Sequence, residues 1–308
     1  MCGSALPKFE IRDTGTGNCH SDLKVLYEIN HPKHPVYCLG RSARFFNIQH
    51  GETEVGLDIG ANIGGASHSF VEQGAVKMVI YEPSRPQSGT WQLLEKNCKH
   101  AVFEVHNKAV DNFKGLAQFR DLENSRPGAS RNSLETQCTY TKGYLKDSIL
   151  YDIDVVPLHE ALTPDVTFLK MDCEGSEIKI LAYDPDTNLW RNVRRVFVEV
   201  SAKRIRLNGA GWHAFGRILK NMAALGFDFC KCDTTRIWKP DFWTMHATKF
   251  EVNRDIMVYF YASGHDPHGE DRCNNMSEKQ KACFSEWLTF NEVMGTKSCL
   301  CRTCKSKR

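Results

Sequence analysis

The feature that most narrows the fold is the run Val55-Gly-Leu-Asp58-Ile-Gly60-Ala61-Asn62-Ile-Gly64-Gly65, an apolar stretch that ends in an acid and turns through small residues. Such a stretch, followed at once by a helical pattern, reads as the opening βα unit of a doubly wound α/β sheet. Small residues at the turn let a ligand meet the backbone, and the helix start offers N–H groups without intrahelical partners. The same residues would also suit a turn that merely packs helix on strand. Asn62 stands where the second glycine of a G-x-G-x-x-G turn belongs, and a pyrophosphate would want that glycine. Asp58, at the strand end, is placed to face a cation such as an amino group, so a nucleoside with a charged sulfonium tail fits better than a dinucleotide.

From about residue 53 onward, short β-rich runs alternate with helical patterns, as in a parallel sheet with crossover helices. Strands are expected at Glu54 to Ile59, Lys77 to Tyr81, Val102 to His106, Val166 to Met171, Val196 to Val200, Phe227 to Cys232 and Ile256 to Tyr261. Helices are expected to end near Gln73-Gly74, to run from about Gln87 to Lys99, to follow Glu177, and to run from Trp212 to Leu225, where Gly226 stops the pattern. Lys108 to Val110 and Ala117 to Arg120 flank a Lys114-Gly115 turn and are expected to pair as a hairpin. Ile153 to Val156 reads as extended, Pro157 to Leu162 as a short helix and Arg126 to Asn132 as a loop.

Two further motifs fall in register with the first. Tyr81-Glu82-Pro83 closes the second strand, with Glu82 following Gly64 by 18 residues, near the offset of about 20 at which an acid grips ribose hydroxyls in nucleotide-binding βαβ units. A solvated acid at a helix start is the plainer reading of Glu82. Phe168-Leu-Lys170-Met-Asp172-Cys-Glu174-Gly175-Ser-Glu177 delivers three acids to the carboxyl end of an apolar strand, the edge at which open α/β sheets hold ligands. Asp172 and Glu174 suit bracketing a substrate hydroxyl or a divalent cation. Acids that favour a helix N-terminus are the alternative, Glu177 above all.

Composition bounds the partners. The 308 residues are 41% hydrophobic and 25% charged, and the net charge of +3 is too small to demand nucleic acid or an anionic membrane. No run approaches the roughly 18 apolar residues of a membrane span, and the first residues lack a basic region followed by an apolar one. Cys2 stands where myristoylation would need glycine. An intracellular, cytoplasmic protein is expected. The 13 cysteines, an odd number without scaffold spacing, read mostly as reduced thiols. In the tail, Cys273, Cys283, Cys299, Cys301 and Cys304 crowd together, but C-L-C-R-T-C lacks paired units at finger spacing, so no metal is assigned. The closing Lys-Ser-Lys-Arg reads as a solvated end. Residues 1–50 read as an extension, 51–264 as the catalytic domain and 265–308 as a polar, cysteine-rich tail.

The three motifs in this order resemble the FkbM family of methyltransferases. Asp58 to Gly64, Glu82-Pro83, Leu94 to Asn97 and Lys170 to Glu177 carry the likeness, supported by Asn107 to Val110, Ser133-Leu134 and Val156-Pro157-Leu158. It covers about residues 53 to 262. The resemblance implies a Rossmann-like class I fold with a seven-stranded, mainly parallel sheet, helices on both faces and an antiparallel last strand. It further implies S-adenosyl-L-methionine as cofactor and a hydroxyl on a sugar or small metabolite as methyl acceptor. Gly60, Asn62 and Gly64 would line the methionine moiety, Glu82 the ribose, and Asn107, Lys108 and Ala109 the adenine. Asp58, Ala61, Pro83 and Asp172 complete the expected cofactor set.

An alcohol is a poor nucleophile until its proton is removed, so such a site needs in-line positioning and a base within reach. Asp172 is the first candidate, with Glu174 and His159 as runners-up. Lys170 reads as the partner of a carboxylate, and Glu199 as either a ligand-edge acid or a buried paired one. A metal-assisted route through Asp172 and Glu174 stays open. Trp238, Trp243 and His246 lie in a long loop, as substrate lid or as anchors on the core. The rival readings are an NAD-dependent oxidoreductase and a non-catalytic binding module, and intact acids in all three motifs weigh against the second.

Overall fold

A computed structural model of the chain describes residues 9–11, 53–121, 133–134, 149–182, 187–201, 211–232, 255–262 and 273–275. In chain order these give β1 (Val55–Ile59), α1 (Gly65–Glu72), β2 (Lys77–Tyr81), α2 (Gly89–Asn97), β3 (Phe103–His106), β4 (Ala109–Asp111), β5 (Gly115–Asp121), β6 (Ser133–Leu134) and β7 (Ile149–Pro157). Then follow α3 (Leu158–Ala161), β8 (Phe168–Met171), α4 (Ser176–Ala182), α5 (Thr187–Trp190), β9 (Arg195–Ser201), α6 (Gly211–Ala224), β10 (Phe227–Cys232), β11 (Asp255–Ala262) and β12 (Cys273–Asn275). The loop at Arg126 to Asn132, the Trp238, Trp243 and His246 segment, and Cys283 onward lie outside the described residues.

The main sheet runs β12-β10-β11-β9-β8-β1-β2-β3. Strands β3, β2, β1, β8 and β9 are parallel, and β11 is antiparallel to both β9 and β10. This is a mostly parallel, Rossmann-like sheet. The count departs from expectation. Among the described residues there are eight strands, not seven, because β12, from the stretch read as tail, pairs antiparallel with the outer edge of β10. A pairing partner there removes an open row of N–H and C=O groups.

A second sheet, ordered β4-β7-β5-β6, fills the interval between β3 and β8. It corrects the expected hairpin. β4 and β5 do not pair with each other, because the nine-residue β7 lies between them, parallel to β4 and antiparallel to β5. The Lys114-Gly115 turn therefore carries the chain across β7 rather than back along β4.

Of the parallel strands, β1, β2, β8 and β9 are largely buried on both faces, as βαβ crossovers require, while the edge strand β3 exposes Glu104. Alternate residues sort into two cores. Leu57, Val79, Leu169, Val196 and Val198 pack with Ile178 and Leu181 of α4 and Ile218 and Met222 of α6. On the other side Met78, Ile80, Phe168 and Phe197 meet Phe70 of α1 and Trp91 and Leu94 of α2. Ser88 caps α2, its hydroxyl accepting from the Trp91 N–H at 3.2 Å. The expected stops hold: Gly74 has φ 115 and Gly226 has φ 85, conformations that end a helix with least strain in glycine.

Candidate active site

Strand register brings the three motifs together. Asp58 pairs with Ile80 on one side and with Lys170 on the other, so the residues just past β1, β2 and β8 are Gly60, Glu82 and Asp172, side by side at the carboxyl edge. Backbone bonds carry the ladder past the strands: the Gly60 N–H reaches the Tyr81 carbonyl at 2.9 Å, and the Asp172 N–H reaches the Ile59 carbonyl at 3.0 Å.

The glycine-rich turn is held from below. Gly60 has φ +79, and a Cβ there would fall 1.9 Å from the Asp172 carbonyl oxygen, so the two turns touch backbone to backbone. Gly64 has φ +88, and a Cβ would meet Cys98 Sγ at 2.7 Å. Asn62 adopts φ 55, a left-handed conformation that asparagine tolerates better than most residues. Asn97, the last residue of the Leu94 to Asn97 motif, donates to the Ile63 carbonyl at 2.9 Å and so ties α2 to this turn. Asn97 also exchanges hydrogen bonds with the backbone of Glu10, at 2.7 and 3.0 Å.

Asp58 is fully buried and does not line the cleft. The cation it faces is internal: Lys170 Nζ lies 2.9 Å from Oδ1, while Oδ2 accepts from the Ser67 hydroxyl at 2.6 Å. Lys170 in turn donates to the Gly60 carbonyl at 2.6 Å. Burial disfavours its ammonium, but the charges of Asp58 and Asp172 outweigh that and hold its pKa above the ordinary lysine value.

Glu82 is buried at the cleft wall, and its carboxylate gathers donors from two motifs. Oε2 accepts the Asn62 N–H at 2.8 Å, and Oε1 accepts the Ser84 N–H at 3.1 Å and hydroxyl at 2.6 Å. Burial raises its pKa, and those donors with the Lys170 charge oppose the rise. Asn107 stands behind, its amide donating to the carbonyls of Glu82 and Ser84 at 3.0 and 2.6 Å.

In the acidic turn after β8, Glu174 has φ 54 and Gly175 φ 124, two successive residues in positive-φ backbone. Glu177, fully buried at the start of α4, accepts the Gly175 N–H at 2.8 Å and the Cys173 thiol at 3.3 Å through Oε2. Burial pushes its pKa up to about 7. From the other side Asp111 of β4 accepts from the Ser176 hydroxyl at 2.9 Å and lies 3.4 Å from Lys179 Nζ.

These edges enclose a cleft with about 680 Å³ of free space, part of it open to solvent. Of the residues singled out from the sequence, Gly60, Asn62, Glu82, Pro83, Lys108, Ala109, Asp172 and Glu174 line it. Asp58, Ala61, Gly64 and Asn107 do not: Ala61 packs into the core and the others brace the turns from behind. His159 sits exposed on α3, away from the lining. Glu199 is half-buried on β9 and also outside it. The lining adds residues the sequence did not single out, among them Ser84, Thr90, Cys173, Ser176 and Phe119. Ser84 was within reach of inference, two residues beyond Glu82. Phe119 comes from β5 of the second sheet, and no local signal tied that strand to this edge. Among the described residues no group of three or more His, Cys, Asp or Glu side chains forms a metal site, and no helix is long and apolar enough to cross a membrane.

The sequence profile of the FkbM methyltransferase domain matches residues 58–229. No curated protein matches the chain. Among solved structures, the chain is similar to precorrin-6y methyltransferase of Geobacter metallireducens, at 10% identity over 82% of this chain and 94% of that one, with a TM-score of 0.33. It is also similar to magnesium protoporphyrin IX methyltransferase of Synechocystis, solved with bound SAH, at 10% identity over 83% of this chain and 90% of that one, with a TM-score of 0.35. The profile match spans more than half of the chain and takes in the Gly60 turn, Glu82 and the acidic turn through Glu177, and by that match the chain belongs to the FkbM methyltransferase domain family.

Proposed function

We propose that the cleft binds S-adenosyl-L-methionine and that the chain methylates a hydroxyl oxygen on a sugar or other small metabolite. The observation that carries this reading is the convergence of a backbone-lined turn, a buried carboxylate and two half-buried acids on one cleft at the carboxyl edge of the sheet. That edge is where open α/β folds take ligands.

The residues present fit such a cofactor. A carboxylate offers about four lone-pair sites. Three of those on Glu82 are engaged, which leaves acceptor capacity for a ribose hydroxyl. Gly60 and Asn62 expose backbone for the methionine portion, and Lys108, Ala109 and Phe119 form a wall suited to the nucleobase. Asp58 acts from behind, through Lys170 and the Gly60 carbonyl. Once bound, the cofactor supplies an electrophilic methyl group on a sulfonium sulfur.

What remains for the chain is to hold an acceptor oxygen in line and to take its proton. Asp172 is the base in this reading, being at the cleft and one residue past β8. Glu174 orients the acceptor. His159, exposed and outside the lining, has no part in it.

Incubation with methyl-labelled cofactor and sugar or metabolite extracts should label an acceptor. Asp172→Asn should lower turnover by about 10²-fold or more, the scale of general-base catalysis, with affinity for S-adenosylhomocysteine unchanged. An Asp172→Asn protein that turns over at the wild-type rate would remove Asp172 from this role.

A further inference from the structure

Glu177 is an expensive residue to keep. Its side chain is fully buried, one oxygen receives two donors, and the other, Oε1, has no hydrogen-bond partner. An unpaired buried polar atom keeps the full penalty of its desolvation. A leucine of similar size would avoid that cost, so packing alone does not account for a glutamate.

The turn above it supplies the reason. Glu174 is a non-glycine residue at φ 54, and Gly175 follows at φ 124. A left-handed conformation outside glycine is strained and persists only where the surroundings enforce it. Asp172 and Glu174, the two acids of this turn, face the cleft, and the Asp172 carbonyl lies against Gly60 of the neighbouring turn. A shift of the acidic turn would therefore move both the acids and the floor of the glycine-rich turn. Asp111 steadies the far side through Ser176, and on the near side the Gly175 N–H points to Glu177.

We propose that Glu177 is the positioning residue of this turn: by accepting the Gly175 N–H and the Cys173 thiol from beneath, it sets where Asp172 and Glu174 meet the cleft. The proposal rests on the reading of the cleft as a binding site for S-adenosylmethionine, yet it has a readout that does not. Burial, which raises the pKa of this carboxyl, agrees with a group kept for its acceptor geometry rather than its charge.

Two variants separate positioning from packing. Glu177→Gln keeps a carbonyl oxygen for the Gly175 N–H, and Glu177→Leu fills the space without one. Amide exchange of Gly175, followed by NMR in the ligand-free protein, should be about tenfold faster or more in Glu177→Leu, the equivalent of one lost hydrogen bond to a carboxyl group. In Glu177→Gln it should stay near the wild-type rate. Affinity for S-adenosylhomocysteine, by calorimetry, should fall about tenfold or more in Glu177→Leu, the scale of one hydrogen bond lost at the site, and be restored in Glu177→Gln. Wild-type exchange and affinity in Glu177→Leu would overturn the proposal, as would a Glu177→Gln protein as impaired as Glu177→Leu. Absence of binding by the wild-type protein would count against the methyltransferase reading instead, and the exchange comparison would still decide the role of Glu177.

Discussion

The two ends of the same parallel strands each bury a cluster of charge, and they are built differently. At the amino end, Glu54 is fully buried, and its oxygens meet Arg195 at 2.6 Å, Arg194 at 3.1 Å and the Thr167 hydroxyl at 2.6 Å. Thr167 also accepts the Val55 N–H at 3.0 Å, so the cluster closes on the first residue of β1. At the carboxyl end, Asp58 and Lys170 form a comparable pair, but around it stand left-handed turns, a glutamate with an unpartnered oxygen and a cleft. A carboxylate held by two guanidinium groups and a hydroxyl at one end, and left-handed turns around a cleft at the other, is what a division into a stabilising end and a working end looks like.

That contrast breaks most visibly at Arg195. Arg195→Leu removes the nearer partner of Glu54 and leaves a buried carboxylate short of compensation, which should cost roughly 3–5 kcal/mol of stability. Urea unfolding would measure it, and the protein that remains folded should bind S-adenosylhomocysteine as the wild type does. A loss of affinity larger than the loss of stability would mean that the two ends are not independent.

At the other end the expected signature is a dependence on pH. Glu177 has a folded pKa raised to about 7 from an ordinary value near 4.5, so between these limits the folded chain keeps a proton that the unfolded chain has released. Its contribution to stability is therefore full below about pH 4.5 and is lost as the pH rises to 7, by an amount on the order of 3 kcal/mol. Unfolding curves of the wild type and Glu177→Gln across this window should converge at the acidic limit and separate toward neutrality, with the glutamine protein the more stable. Parallel curves would mean that Glu177 is ionised throughout. The smallest effect belongs to Thr167→Val at the amino end, which deletes hydrogen bonds to Glu54 and Val55 and should cost about 2 kcal/mol with no change in binding.

Much of this architecture was legible in the sequence because the signals were local. β2 and β10 fall at the expected residues, since short β-rich runs bounded by turn residues mark strands well. Convergence of Gly60, Glu82 and Asp172 was also legible, because residues just past adjacent parallel strands must share one edge. What escaped was set by contacts distant in sequence. Asp58 looks like a ligand residue until Lys170, its neighbour on β8, is seen to neutralise it. The second sheet hid for the same reason: β4 and β5 lie close along the chain, but β7, coming later, separates them and with β5 brings Phe119 to the cleft. Glu177 carries a plausible local explanation as a helix-start acid, and its burial shows only in three dimensions.

Titration calorimetry with S-adenosylhomocysteine on the wild type and on Glu82→Ala tests the central claim most directly. The account predicts one binding site in the wild type and affinity lower by about 10- to 100-fold in the variant, the range for a lost hydrogen bond to a charged group. No heat of binding in the wild type, or equal affinity in both proteins, would contradict it.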